Sequence, residues 1–277
     1  LGIVPAGLHN GQWHLGEPGY DVSTAALRGF QLWLRGIYVE ESVLRSAWGQ
    51  PNASFLSAPI PQQPPTNDTT KVFFALPQQQ PQVDYLNFVS EATADALAAL
   101  TTHIKSHTEL PIKVLVPYGY TLEVPYNEGG HFSLSILAGS DVDGFISPVS
   151  YVDRGTGGAG GFMGPITSAR YHGKEWLLVD DTRTGVARDA ITGAVERLRG
   201  LRPEDVYSVQ QRNFSAALAQ GLGLVWSDPA GEGWLHDAGQ WSQFQHLLEI
   251  YREVQEGKAA DTEQEETSVP EDGEHTS

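Results

Sequence analysis

The feature that most constrains this chain is a regular alternation of short apolar runs with helical segments. The runs at 1–6, 112–116, 144–149, 176–179 and 222–225 are each bounded by Gly, Pro or charge. Runs of that length and flanking read as fully buried strands. Strand followed by helix, repeated, argues for an α/β fold with a parallel sheet or barrel. Five such units are present, whereas a complete (β/α)8 barrel has eight. The expectation is a partial barrel, with a disordered acidic tail at 256–277 that contains no aromatic residue.

Helical spacing predicts a first helix over 23–36, with Leu27, Phe30, Leu34 and Ile37 on one face, and a second over 40–48. Residues 51–81 are rich in Pro, Gln, Asn and Thr and read as a surface excursion with little regular structure. A long amphipathic helix follows over 83–107, with Phe88, Ala92, Leu97, Leu100 and Ile104 expected to face inward. Further helices are expected over 132–137, 167–172, 182–198, 203–219 and 238–254. The barrel portion would thus occupy 1–255.

Composition excludes several classes of function. A net charge of −17 leaves no basic surface for a phosphate backbone, so nucleic acid is not an expected partner. No apolar run is long enough to span a membrane, and no membrane partner is expected. With no cysteine, thiolate chemistry and Cys-ligated metals are excluded. His103 and His107 have the i, i+4 spacing of a two-histidine metal site but lack a third ligand, so no metal and no cofactor is expected. The sequons at Asn52, Asn67 and Asn213 hint at secretion. Gly155, Gly157 and Gly160 match a dinucleotide fingerprint in spacing, but the glycines do not open a helix; a flexible loop over a barrel mouth fits them better.

Polar and aromatic residues collect where the apolar runs end. Tyr151 and Arg154 follow the third run, Asp180, Asp181 and Arg183 the fourth, Trp226 and Asp228 the fifth. Side chains just past the C-terminal ends of successive parallel strands are where an α/β barrel builds its site. Trp226, Trp234, Tyr151 and Trp13 could stack on pyranose rings or belong to the core. Arg154 and Asp228 could bond hydroxyls or form structural ion pairs. His131 and His172 also lie near strand ends.

The stretches FQLWLRGIY with LRSAWG, YGYTLEV with GGHFSL, DVDGFISPVSYVDRGTGGAGGFMGPITSARYHGKEWLLVDDTRT and LGLVWSDPAGEGW resemble, in order, the barrel of β-galactosidase-like glycoside hydrolases, close to glycoside hydrolase family 42. The resemblance implies that the strands are the fourth to eighth of a TIM barrel, with the first three upstream. It also implies a retaining mechanism with two carboxylates roughly 5–5.5 Å apart. The acid position of that group falls on Gln12 and the nucleophile position on Val179. A Gln amide cannot protonate a leaving group, and a valine cannot attack. The resemblance therefore implies a catalytically degenerate domain with a β-galactoside-like carbohydrate partner and a cleft holding Gln12, Trp13, Tyr151, Arg154, Asp181, Arg183, Trp226 and Asp228. Two alternatives stay open: an active retaining glycosidase using displaced carboxylates, Glu17 or Glu123 with Asp180, and a non-catalytic scaffold domain, as a possible oligomer.

Overall fold

The computed structural model describes residues 2–5, 21–62, 74–119, 132–184, 203–229 and 231–267. In chain order the elements are β1 (Gly2–Ile3), α1 (Thr24–Tyr38), α2 (Glu41–Trp48), α3 (Gln80–Ser106), β2 (Lys113–Pro117), α4 (Leu134–Ala138), β3 (Gly144–Pro148), α5 (Ile166–Tyr171), β4 (Glu175–Asp180), α6 (Pro203–Ala219), β5 (Gly223–Trp226) and α7 (Ala238–Thr267). The five strands form one sheet in sequence order. β1 pairs in parallel with β2, and β2 with β3, in the register Ile3–Val114 and Val116–Phe145. The fold is α/β, a partial (β/α) barrel. Its contacts divide into two compact units, Leu1–Pro148 with Phe162–Leu177, and Val149–Gly161 with Leu178–Ser277.

In the first unit, α1 starts where Ser23 accepts from the Ala26 amide at 3.1 Å, and Asp21 in turn accepts from the Ser23 amide. Such caps satisfy amides that the first helical turn leaves unpaired. Phe30 and Leu34 of α1, Leu44 and Trp48 of α2, and Tyr85 of α3 form a closed core. Phe30 meets Tyr85 edge-on at 5.1 Å. Asp84 is buried in the middle of this apolar cluster and accepts from Tyr38 Oη (2.8 Å), Trp48 Nε1 (2.7 Å) and Gln80 Nε2 (2.8 Å). Three donors compensate a carboxylate that would otherwise be costly to bury.

The inward face of α3 differs from the expected one. Tyr85, Ser90, Ala94, Leu97 and Thr101 are buried, Phe88 and Ile104 are half-buried, and Ala92 and Leu100 are exposed. Small and hydroxyl-bearing residues at Ser90, Ala94 and Thr101 allow close packing, and Thr101 returns its hydroxyl to the Leu97 carbonyl at 2.8 Å. Hydrophobicity alone cannot see that preference for small size. Ile37 on α1 is likewise exposed. In the described part of the excursion, Ala53 and Ala58 are buried, and their carbonyls accept from Arg45 Nε and Gln31 Nε2. That stretch is irregular but packed. The run at 1–6 yields a two-residue strand.

β3 is buried along its whole length, as expected for a strand covered on both faces. Behind it, Tyr118, Phe145 and Trp176 form a ring cluster at 5.3–6.4 Å, and Trp176 Nε1 donates to Ser147 Oγ at 3.0 Å. Two glycines permit this packing. A Cβ at Gly144 would lie 2.4 Å from the Glu175 carbonyl oxygen, and one at Gly164 would lie 2.4 Å from the Trp176 ring.

In the second unit, Trp226 stacks on Phe244 of α7 at 4.0 Å and lies parallel to Phe214 of α6 at 6.5 Å. Gln243 of α7 donates to the Tyr207 carbonyl of α6, and Tyr207 Oη donates to Asp237. α7 continues to Thr267, past the start of the expected tail. Its C-terminal part is rich in Glu, with Ala and Gln, all strong helix formers. Residues 182–184 are irregular, and the rest of the helix expected over 182–198 lies outside the described residues.

Candidate functional site

β4 buries Trp176, Leu178 and Asp180 on one face while Glu175, Leu177 and Val179 are less covered, the period of a strand. The chain then leaves the sheet, and its polar residues meet those of the loop after β3. Arg154 Nη1 donates to Asp181 Oδ1 at 2.6 Å, and Tyr151 Oη donates to Asp181 Oδ2 at 2.6 Å. Arg154 also bonds the Ser150 and Val149 carbonyls and lies 4.2 Å over the Tyr151 ring. Three residues that follow strand ends, and that the resemblance places in a cleft, are thus one hydrogen-bonded group. Tyr151 remains 42% exposed.

Asp180 faces the other way. Its Oδ1 accepts from the Thr182 amide at 3.2 Å and from the Thr182 hydroxyl at 2.5 Å. Burial pushes this carboxyl above the usual carboxylate range; Thr182, the neighbouring Asn213 side chain and the Arg154 charge pull it only part of the way back. A carboxyl so enclosed binds its proton more tightly than an exposed one.

The loop after β5 forms a second group. Asp228 accepts from the amides of Glu232 (3.0 Å), Gly233 (2.7 Å) and Trp234 (3.1 Å), so its carboxylate organises its own turn. Arg183 Nη2 pairs with Glu232 at 3.1 Å and lies 5.6 Å from the Trp234 ring centre, while Trp234 Nε1 donates to the same Glu232 oxygen. Trp226 is packed into the α6–α7 layer, with its stacking surface turned to Phe244. Val179 is half-buried in β4, its carbonyl accepting from the Val149 amide. Gln12, Trp13, Glu17, Glu123 and His131 lie outside the described residues.

Several residues that organise the site give little sign of it in sequence. Arg212 of α6 reaches the carbonyls of Arg154, Gly155 and Gly158 and the Asn213 side chain. The Gly-rich segment 155–161 is therefore held in place rather than free, and a Cβ at Gly160, where φ is +63°, would meet Arg212. Glu232 carries no sequence signal beyond its place two residues before Trp234 in the stretch GEGW. The Asn213 sequon is buried, with its amide oxygen accepting from Arg212; Asn52 is exposed. The His103 and His107 rings meet at 4.1 Å, tilted by 34°, and His172 is exposed at the end of α5. Among the described residues no group of three His, Asp or Glu side chains could hold a metal ion, and no helix is long and apolar enough to cross a membrane.

No protein-family model matches the chain, and no curated protein matches it. Among solved structures it is similar to the catalytic domain of β-amylase from Paenibacillus polymyxa, at 14% identity and a TM-score of 0.49. The match covers 81% of this chain and 54% of that one, so the chain spans about half the length of that structure. At this identity no residue role passes between the two.

Proposed function

We propose that this chain is a glycoside-hydrolase-like barrel portion that binds carbohydrate without hydrolysing it. The observation that carries the reading is the Tyr151–Arg154–Asp181 group. It offers an exposed aromatic face beside charged hydrogen-bonding groups, the combination that suits a pyranose ring with its hydroxyl edge. Among the described residues the strand-end carboxylates are engaged with other groups, which supports the non-hydrolytic half. Asp180 is enclosed, Asp181 is held by Arg154 and Tyr151, Asp228 caps its own turn, and Glu232 is held by Arg183 and Trp234. The position that resembles the nucleophile of β-galactosidase-like enzymes is Val179.

A glycan array probed with the full chain and with Tyr151→Ala tests the binding half. Binding to a defined set of β-galactosides, lost in the variant, is the expected result; silence across the array overturns it. Hydrolysis of aryl β-glycosides tests the other half. The expected outcome is no turnover by the native chain and recovery in Gln12→Glu/Val179→Glu. Turnover by the native chain would move attention to Glu17 and Glu123.

A further inference from the structure

Arg212 of α6 directs its whole guanidinium at two short stretches of chain. Nη1 donates to the carbonyls of Gly155 (3.0 Å) and Gly158 (2.9 Å). Nη2 donates to the Arg154 carbonyl (2.9 Å) and to Asn213 Oδ1 (3.1 Å), and Nε donates to the same Asn213 oxygen (3.3 Å). A guanidinium carries five N–H donors in a rigid fork, and these contacts engage all of them. Each acceptor here is an uncharged oxygen, so the contacts depend on the shape of the fork and not on charge pairing.

The stretches it joins are the two that carry the Arg154–Asp181 pair. On one side Arg154 is fixed at both ends. Arg212 holds its carbonyl, while its guanidinium is held by Asp181 and by the Ser150 and Val149 carbonyls. On the other side Asn213 interacts with the carboxyl of Asp180, the residue before Asp181. Asp180 in turn accepts from the Thr182 amide and hydroxyl, just after Asp181. Arg212 is thereby linked to the cation through one carbonyl and to the anion through Asn213 and Asp180.

The loop after β3 needs such a clamp. Five of the seven residues 155–161 are glycine, which loses the most conformational freedom when it is ordered. Asp153 (φ +54°), Gly157 (φ +81°) and Gly160 (φ +63°) take positive φ, and at Asp153 that conformation is costly. The Gly160 amide donates to the Asp153 carbonyl at 3.2 Å, and the Ala159 amide to Asp153 Oδ2 at 2.8 Å. These bonds close the turn on itself; the Arg212 bonds tie it to α6.

We infer that Arg212 is a positioning residue for the carbohydrate-binding group. It sets the Arg154–Asp181 pair beside Tyr151 by holding both chain segments from one helix, and ligand affinity depends on it through those residues. For its ligand the inference rests on the carbohydrate reading above. Hydrogen-bonding groups weaken steeply off their proper geometry, so a pair that drifts loses affinity without losing any of its own atoms.

The test compares the full chain as native, Arg212→Met and Arg212→Lys. Methionine removes all five donors, whereas lysine keeps the charge and three of them. The first readout is the Arg154→Ala/Asp181→Ala double-mutant cycle in each background, measured by urea denaturation. The coupling, more than about fivefold in unfolding constant in the native background, should fall to about twofold or less in Arg212→Met and recover in part in Arg212→Lys. The second is the affinity for methyl β-galactoside by calorimetry, expected to be at least about fivefold weaker in Arg212→Met and partly restored in Arg212→Lys. A native-like coupling in Arg212→Met overturns the proposal, as does an unchanged affinity where the native chain binds. A native chain that binds no galactoside removes the carbohydrate reading, and the coupling alone then decides the positioning role. If Arg212→Met does not fold, Arg212→Lys carries both readouts, with a native-like value of either overturning the proposal. Loss of the fold in both variants makes Arg212 a structural residue and overturns it as well.

Discussion

Arg154 and Asp181 meet at 2.6 Å, Nη1 to Oδ1, with side chains only 16% and 11% exposed. Removing one partner strands the other charge where water cannot fully solvate it. Asp181→Ala should therefore cost about 3 kcal/mol, more than an exposed ion pair is worth. Urea denaturation followed by tryptophan fluorescence checks this. A double-mutant cycle with Arg154→Ala should return a coupling energy of more than about 1 kcal/mol.

Asp84→Ala should destabilise the first unit by about 3 kcal/mol, since Trp48 Nε1 and Tyr38 Oη lose a buried acceptor at once. Asp84→Asn, which keeps one oxygen, should recover part of the loss. Thermal melts of the two variants distinguish a lost hydrogen-bonding hub from a lost charge.

Asp180 makes stability fall as pH rises. Its carboxyl is held above the unfolded value of 3.8, so the folded chain binds the proton more tightly. That contribution is fully present below 3.8 and is lost as pH climbs through the raised folded value. Asp237 acts in the opposite window. A Tyr207 hydrogen bond, then the Gln240 amide, lower it, so its contribution is present above 3.8 and lost on acidification below that. Denaturant midpoints measured from acid to neutral pH should show Asp180→Asn gaining on the native protein as pH rises. A constant difference would contradict the assignment.

Gly144→Ala should lower stability by more than about 2 kcal/mol, because the added methyl meets a backbone oxygen in the sheet that cannot step aside. Circular dichroism melts read the effect directly. Gly36, whose added Cβ would meet nothing, is the control helix-interior position; Ala there should be neutral or slightly stabilising.

Arg212→Ala should release the segment 155–161 while leaving the helix α6 formed. Three carbonyls there, of Arg154, Gly155 and Gly158, accept from this one guanidinium. Hydrogen exchange should speed up at Gly158 and Gly160, whose amides bond within the loop.

Local pattern was enough to place the elements. The strands at 144–149 and 176–179, the helices α1, α2, α6 and the body of α7 were legible because hydrophobic period and capping residues are properties of neighbouring positions. That Tyr151, Arg154 and Asp181 each follow a strand end was legible for a related reason, but that they bond one another was not. Pairings across long sequence separations were not legible. Nothing in the local sequence marks Asp84 as buried; Tyr38 and Trp48 reach it only in the folded chain. Trp226 reads as a stacking platform until Phe244 covers it, and Asp228 as a ligand for hydroxyls until its own loop folds back on it. Short-range sequence sets which backbone conformations are cheap. Only tertiary packing decides which polar groups find partners, and at Asp84 it brings three donors to one buried carboxylate.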